Sequence, residues 1–186
     1  SGERISGTRS SLLALVLWAA LLQGLGWAAW RFLGSRLPAL PGTYALAKLS
    51  GVALFGALSW ALLSWGPFTF VPSFAFAVAA AILLLGAFPG RPVVAVPHGE
   101  AVKTELVFWV TFLVFAAIRA FSPEIFWGEK PMDFAILNTL LRSEVLPPLE
   151  PWFSGTTLSY TYFGHCLVAA FAKALGVHPA LAFNLG

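Results

Sequence analysis

The chain has 186 residues, of which 59% are hydrophobic and only 10% charged, with a mean hydropathy of +0.82 and a formal net charge of +3. A soluble domain carries charge on roughly a quarter of its residues, so a chain this poor in charge cannot cover its own surface in water and must be solvated by lipid. That excludes a soluble enzyme, and the scattered Lys and Arg residues lack the clustered footprint of a nucleic-acid-binding protein.

The single cysteine, Cys166, has no internal disulfide partner, and no CxxC or Cys/His zinc spacing exists. The expected fold is therefore all-α: a polytopic, multi-pass protein of the cell membrane whose first partner is the lipid bilayer.

A hydrocarbon core of about 30 Å takes about 20 apolar residues in a helix. Residues 1–10 form a flank carrying Arg4 and Arg9. The first apolar run covers residues 11–32, with Trp27 and Trp30 near its end, where interfacial aromatics belong. The prolines of "GSRLPALPGT" then turn the chain. A second run, residues 44–65, carries Lys48 near its start, from where a long side chain can snorkel to the interface. A third, residues 68–88, meets Pro72 early, and the polar connection "PGRPVVAVPHGEAVKTE" follows. These elements make one unit, residues 11–105. Gly24, Gly26, Gly51 and Gly56 fit close helix packing better than a ligand site.

The second unit, residues 106–186, opens with a fourth run at 106–121 that carries Arg119 near its end. A segment about twice the length of any other connection, residues 122–158, separates it from a fifth run at 159–175. A sixth begins after "GVHP", which makes about five to six spans. Both ends read as cut, and we expect an N-terminal piece of a longer membrane protein. Lys and Arg divide evenly between alternate connections: Arg31, Arg36, Arg91 and Lys103 against Arg4, Arg9, Lys130 and Arg142. Charge alone leaves the orientation open.

Glu124, Glu129, Asp133, Glu144 and Glu150, five of the eight acidic residues, cluster in the long segment, and Asp133 is the only aspartate. A short helix is predicted from Pro131, with Asp133 in its first turn and Arg142 in its last, each complementing the helix dipole. Phe134, Leu137, Leu140 and Leu141 recur at helical spacing, which makes the helix amphipathic and suited to the membrane interface. The segment is then either a connector resting on the bilayer or a water-facing loop that forms a site.

Glu129, Lys130 and Asp133 make a local ion-pair cluster on one reading. On the other, Asp133 is a base, a carboxylate held ionised at a helix start beside Lys130. "SYTYFGH", residues 159–165, opens the fifth run. Tyr160 and Tyr162 are interfacial belt residues or site residues, and the spacing of three between Ser159, Tyr162 and His165 lets them share one helix face. His165 is a packing residue or a ligand, and Arg119 snorkels or holds an anion. Glu129 and Asp133 are too few ligands to imply Mg²⁺ or Mn²⁺, so no metal site is assigned and no cofactor is named.

"SPEIFWGEKPMDFAILNTLLRS", "LPPLEPWFSGT" and "SYTYFGH" resemble blocks that mark the Chlor-Arch-YYY family of very hydrophobic membrane proteins, a family of unknown function. "LPALPGTYALAKLSG" and "SWALLSWG" resemble its N-terminal region, and the resemblance runs from Leu12 onward. Thr161 replaces the middle tyrosine of the triple, Ser159 an asparagine, and Glu150 the aspartate before Pro-Trp. That family is distantly similar to the membrane glycosyltransferases of the GT-C fold. In those enzymes the first long loop outside the cytoplasm holds an acidic base, and the sugar donor is a polyprenyl phosphate.

The resemblance implies Asp133 as base and Glu129 as its neighbour, with loop and N-terminus outside the cytoplasm. It also implies donor and acceptor contacts from Arg119, Lys130, Arg142, Glu150, Tyr160, Tyr162 and His165. Two functions follow: a glycosyltransferase using a polyprenyl-phosphate sugar, or a non-enzymatic transporter, flippase component or membrane assembly scaffold.

Overall fold

The computed structural model describes residues 2–36, 42–88, 92–93, 96–153 and 155–186, with side chains from residue 11 onward. Arg91 and most of the proline turn after Arg36 lie outside the described residues, as do the side chains of Arg4 and Arg9. Among the described residues seven helices follow one another: α1 (Gly2–Gly34), α2 (Thr43–Trp65), α3 (Pro72–Ala87), α4 (His98–Phe121), α5 (Lys130–Arg142), α6 (Phe163–Leu175) and α7 (Pro179–Leu185). Apart from one isolated bridge between Leu149 and Thr157, no β-structure occurs among the described residues. The all-α, polytopic membrane architecture is the expected one.

Local chemistry sets the helix ends. Pro72, Pro131 and Pro179 stand in the first turns of α3, α5 and α7, where a missing N–H leaves no hydrogen bond unmade. Gly176 closes α6 in the left-handed region at φ 65°, a conformation only glycine adopts cheaply.

Among the described residues three helices are long and apolar enough to cross a bilayer: α1 over Ser11–Gly34, α2, and α4. The apolar helices α3 and α6 have 16 and 13 residues, so α6 extends only about 20 Å and does not cross a 30 Å core alone. α1 packs on α2 and α3, and α6 packs on α3, α5 and α2. A Cβ on Gly51 would strike the Leu25 backbone, and one on Gly86 would strike Ala28, so both glycines permit close crossings with α1. Phe171 of α6 reaches this core, with its ring 5.0 Å from that of Trp18 and 5.2 Å from that of Phe55.

The structure departs from the sequence reading in three places. The polar stretch before residue 106 is helical from His98, so Glu100, Lys103 and Glu105 ride on α4 rather than in a connection. Lys48 does not snorkel to the interface; it is buried and paired with Glu105. The last apolar helix before α7 begins at Phe163, which leaves Ser159 outside it and Tyr162 as its N-cap, so Ser159, Tyr162 and His165 share no helix face.

α5 forms where it was expected, one residue earlier than Pro131. Its stripe of Ile136, Leu137 and Leu140 is fully buried, and its helix neighbours are α6 and α7. Lys173 locks this layer to the bundle. Its ammonium donates to the Phe70 carbonyl before α3 and to the Ser143 carbonyl after α5, the latter at 2.8 Å. The Phe70 amide in turn donates to the Glu144 carbonyl at 2.7 Å.

Candidate functional site

Two polar clusters form from residues distant in sequence. The first joins α1, α2 and α4. Lys48 Nζ donates to Glu105 Oε2 at 2.8 Å and to Gln23 Oε1 at 2.6 Å, and lies 4.1 Å from the Phe108 ring centroid. Glu105 also accepts from Gln23 Nε2 at 3.2 Å, from Trp109 Nε1 at 2.9 Å and from the Tyr44 hydroxyl. Both carboxylate oxygens carry two donors, so this group has no capacity left for chemistry. One turn earlier, Glu100 accepts from the Gly42 amide at 2.8 Å and strengthens the same join.

The second cluster lies where α5 meets α6. Asp133 is in the first turn of α5 and His165 in the first turn of α6. Their helices pack together, which brings His165 Nε2 to 3.4 Å from Asp133 Oδ1. The side chains are 33% and 23% exposed, so the pair sits at an accessible boundary rather than in the core. A carboxylate beside an imidazole, with lone pairs still open, can take up and pass on a proton.

Arg119 and Lys130 flank a cavity of about 410 Å³ walled by Phe112, Phe115, Ala116, Phe183 and Asn184. Among the described residues no acidic side chain lines it. Arg119 is held in place by Asn184, whose amide nitrogen donates to the Pro123 carbonyl at 3.2 Å and to the Ala180 carbonyl at 2.9 Å. Lys130 donates only weakly, at 3.4 Å, to the Glu124 carbonyl. Two cations facing a cavity with no acid suit an anion, and phosphate in particular.

Phe112, Phe183 and Leu185 are shared with a second, larger groove of about 840 Å³. Its walls come from α1, α2, α4, α5, α6 and α7, and among the described residues Lys48 and His165 are the only titratable side chains that line it. His165 therefore belongs both to the pair with Asp133 and to this groove.

Other expected site residues lie elsewhere. Glu129 is exposed at the N-cap of α5. Arg142 is exposed nine residues beyond Asp133, about 14 Å along the helix. Glu150 is half-buried in a turn, where its amide donates to the Thr156 carbonyl at 2.9 Å. Tyr160 is exposed and Tyr162 half-buried. None of these five lines either cavity. Among the described residues, no three His, Cys, Asp or Glu side chains converge as a metal site.

Sequence reasoning missed Asn184, Glu105 and Lys173. Charge inside an apolar run was the available signal for Lys173, because a charge there needs a partner, whereas Glu105 read as the last residue of a polar connection.

Comparison with curated proteins and with solved structures gives no match. Residues 54–186 match the family described as uncharacterized membrane protein (DUF2298), so this membrane chain with its acid–imidazole pair beside a cationic cavity belongs to that family.

Proposed function

We propose that the protein is a membrane glycosyltransferase that moves a sugar from a polyprenyl-phosphate donor to an acceptor hydroxyl outside the cytoplasm, in the cell membrane. The observation that carries this reading is the adjacency of three features. They are the Asp133–His165 pair at 3.4 Å, the cavity with Arg119 and Lys130 as the only charged side chains lining it among the described residues, and the apolar groove that adjoins both. A phosphate-headed lipid needs the last two, and attack by a hydroxyl needs the first.

In the proposed reaction Asp133 accepts the acceptor's proton as its oxygen attacks the anomeric carbon. His165 orients the carboxylate and shares that proton. The bond from the anomeric carbon to the phosphate oxygen breaks, and the departing phosphate keeps the electron pair and is stabilised by Arg119 and Lys130. The resemblance to the Chlor-Arch-YYY and GT-C proteins supports the same assignment of Asp133. Glu129 would stand as neighbour to the base, Arg142 as a further cation for the donor phosphate, and Glu150, Tyr160 and Tyr162 as substrate contacts, all from outside both cavities.

The non-enzymatic reading, as transporter, flippase component or scaffold, draws on polar residues at membrane depth. Two of these, Lys48 and Glu105, are consumed by one another and by Gln23, Tyr44 and Trp109.

The test is transfer from a panel of polyprenyl-phosphate hexoses in membranes containing the protein. Asp133→Asn should lower transfer by about 10²- to 10⁴-fold with insertion intact. Wild-type transfer in that variant ends the assignment. A single cysteine in place of exposed Glu129, with Cys166→Ser, should react with an impermeant thiol reagent in intact cells. Reaction only after lysis would put α5 inside and overturn the reading.

A further inference from the structure

We propose that the apolar groove between α2 and α4 holds one hydrocarbon chain of a phosphate-headed lipid, and that the chain enters sideways from the bilayer past α4. This rests on the lipid-phosphate half of the reading above and is independent of whether transfer follows.

The groove is walled by Trp18 of α1, Val52 and Ala53 of α2, Phe108 and Phe112 of α4, and Phe171 of α6. At about 840 Å³ it lies within the range of small-molecule pockets. An apolar space does not retain water, so beside a bilayer it fills with hydrocarbon.

α4 is built to be its movable wall. Over its whole length it buries no residue, although it is one of the three helices apolar enough to span. It is fastened near its two ends by polar bonds instead. Glu105 and Glu100 tie one end to α1, α2 and Gly42, and Arg119 ties the other to Asn184 of α7. Between Glu105 and Arg119 lie about 21 Å of helix, along which Phe112 packs, half-buried, against the core. On the facing helix, Ala53 lines the groove and is exposed.

Charge gives the bound chain a direction. At Phe112 and Phe183 the groove shares walls with the cavity that Arg119 and Lys130 flank. At its other end stands Lys48, whose ammonium is already occupied by Gln23 and Glu105. The headgroup therefore sits beside α5 and α7, and the chain runs along α2 toward Lys48.

The experiment uses the full-length protein in lipid nanodiscs and a long-chain alkyl phosphate carrying a diazirine at the chain end. Photolabel is expected on Trp18, Val52 and neighbouring groove residues. Ala53→Trp, which fills the space, should lower labelling about tenfold, equivalent to losing roughly two buried methylenes. Lys130→Gln should weaken labelling by the phosphate probe but leave labelling by the corresponding alcohol unchanged.

Label confined to the outward face of α4, at Leu113 and Val114, would overturn the proposal in the wild-type protein alone, whatever the variants do. Undiminished labelling of Ala53→Trp would do the same. Asp133→Asn should retain the label. Groove labelling without sugar transfer would remove the enzymatic reading and leave this one standing. Transfer that needs Asp133 without groove labelling would remove only this one.

Discussion

Glu105 and Asp133 are both acids paired with a basic side chain near helix starts, yet they differ in everything that decides use. Glu105 receives four donors from three helices and has its partner Lys48 buried at 6% exposure. Asp133 has His165 at 3.4 Å as its one ion-pair neighbour among the described residues, and a third of its side chain is open. A carboxylate with filled lone pairs fixes helices to one another. One with capacity left can exchange a proton or meet a ligand. In this protein the deeper acid ties helices together, and the shallower one keeps acceptor capacity open.

The sharpest way to break that contrast is to remove each acid and compare stabilities. Glu105→Leu strands the Lys48 ammonium in a buried site and should cost about 3 kcal/mol, the low end for a broken buried pair because Glu105 is itself 27% exposed. The double variant Lys48→Met, Glu105→Leu should recover most of that loss, because two apolar groups leave no charge behind. Detergent-titrated unfolding measures both. Equal damage in single and double variants would mean that the pair contributes more than mutual neutralisation.

Lys173 offers a third case between the two. Its ammonium bonds two backbone carbonyls and no acid, so Lys173→Met orphans Phe70 and Ser143 and should cost about 2 kcal/mol. Loosening of α5 and α6 should follow, visible as faster hydrogen exchange through residues 130–142. Asp133→Asn, by contrast, should change stability by less than about 1 kcal/mol, as for other partly exposed pairs, while removing transfer. A large stability loss would move Asp133 into the structural class with Glu105.

Helices and membrane character were legible because each is written locally. Apolar runs, flanking tryptophans and first-turn prolines declare themselves within a window of twenty residues. Asp133, His165, Arg119 and Lys130 were each singled out by type and place. Their grouping was not legible, since it depends on α5 packing against α6 and on Asn184 meeting Arg119 across 65 residues.

The error over Lys48 has the same root. A lysine five residues into an apolar helix snorkels or pairs, and only the position of Glu105, 57 residues later, decides which. The face assigned to Ser159, Tyr162 and His165 failed for a local reason: hydropathy marks the edge of an apolar run, whereas the helix starts four residues inside it.

Ser59 gives the smallest effect and the finest test of the contrast. It lies on α2, about 16 Å from Lys48 along the helix, and is fully buried. Its hydroxyl has no hydrogen-bond partner among the described residues. If buried polar groups away from the α5–α6 boundary are structural only when satisfied, this hydroxyl contributes nothing and costs its own desolvation. Ser59→Ala should then be neutral or stabilising by up to about 1 kcal/mol, without effect on transfer or chain labelling. Destabilisation beyond that would give the hydroxyl a partner in the membrane, and α2 would then carry a second polar join that the Lys48 cluster does not account for.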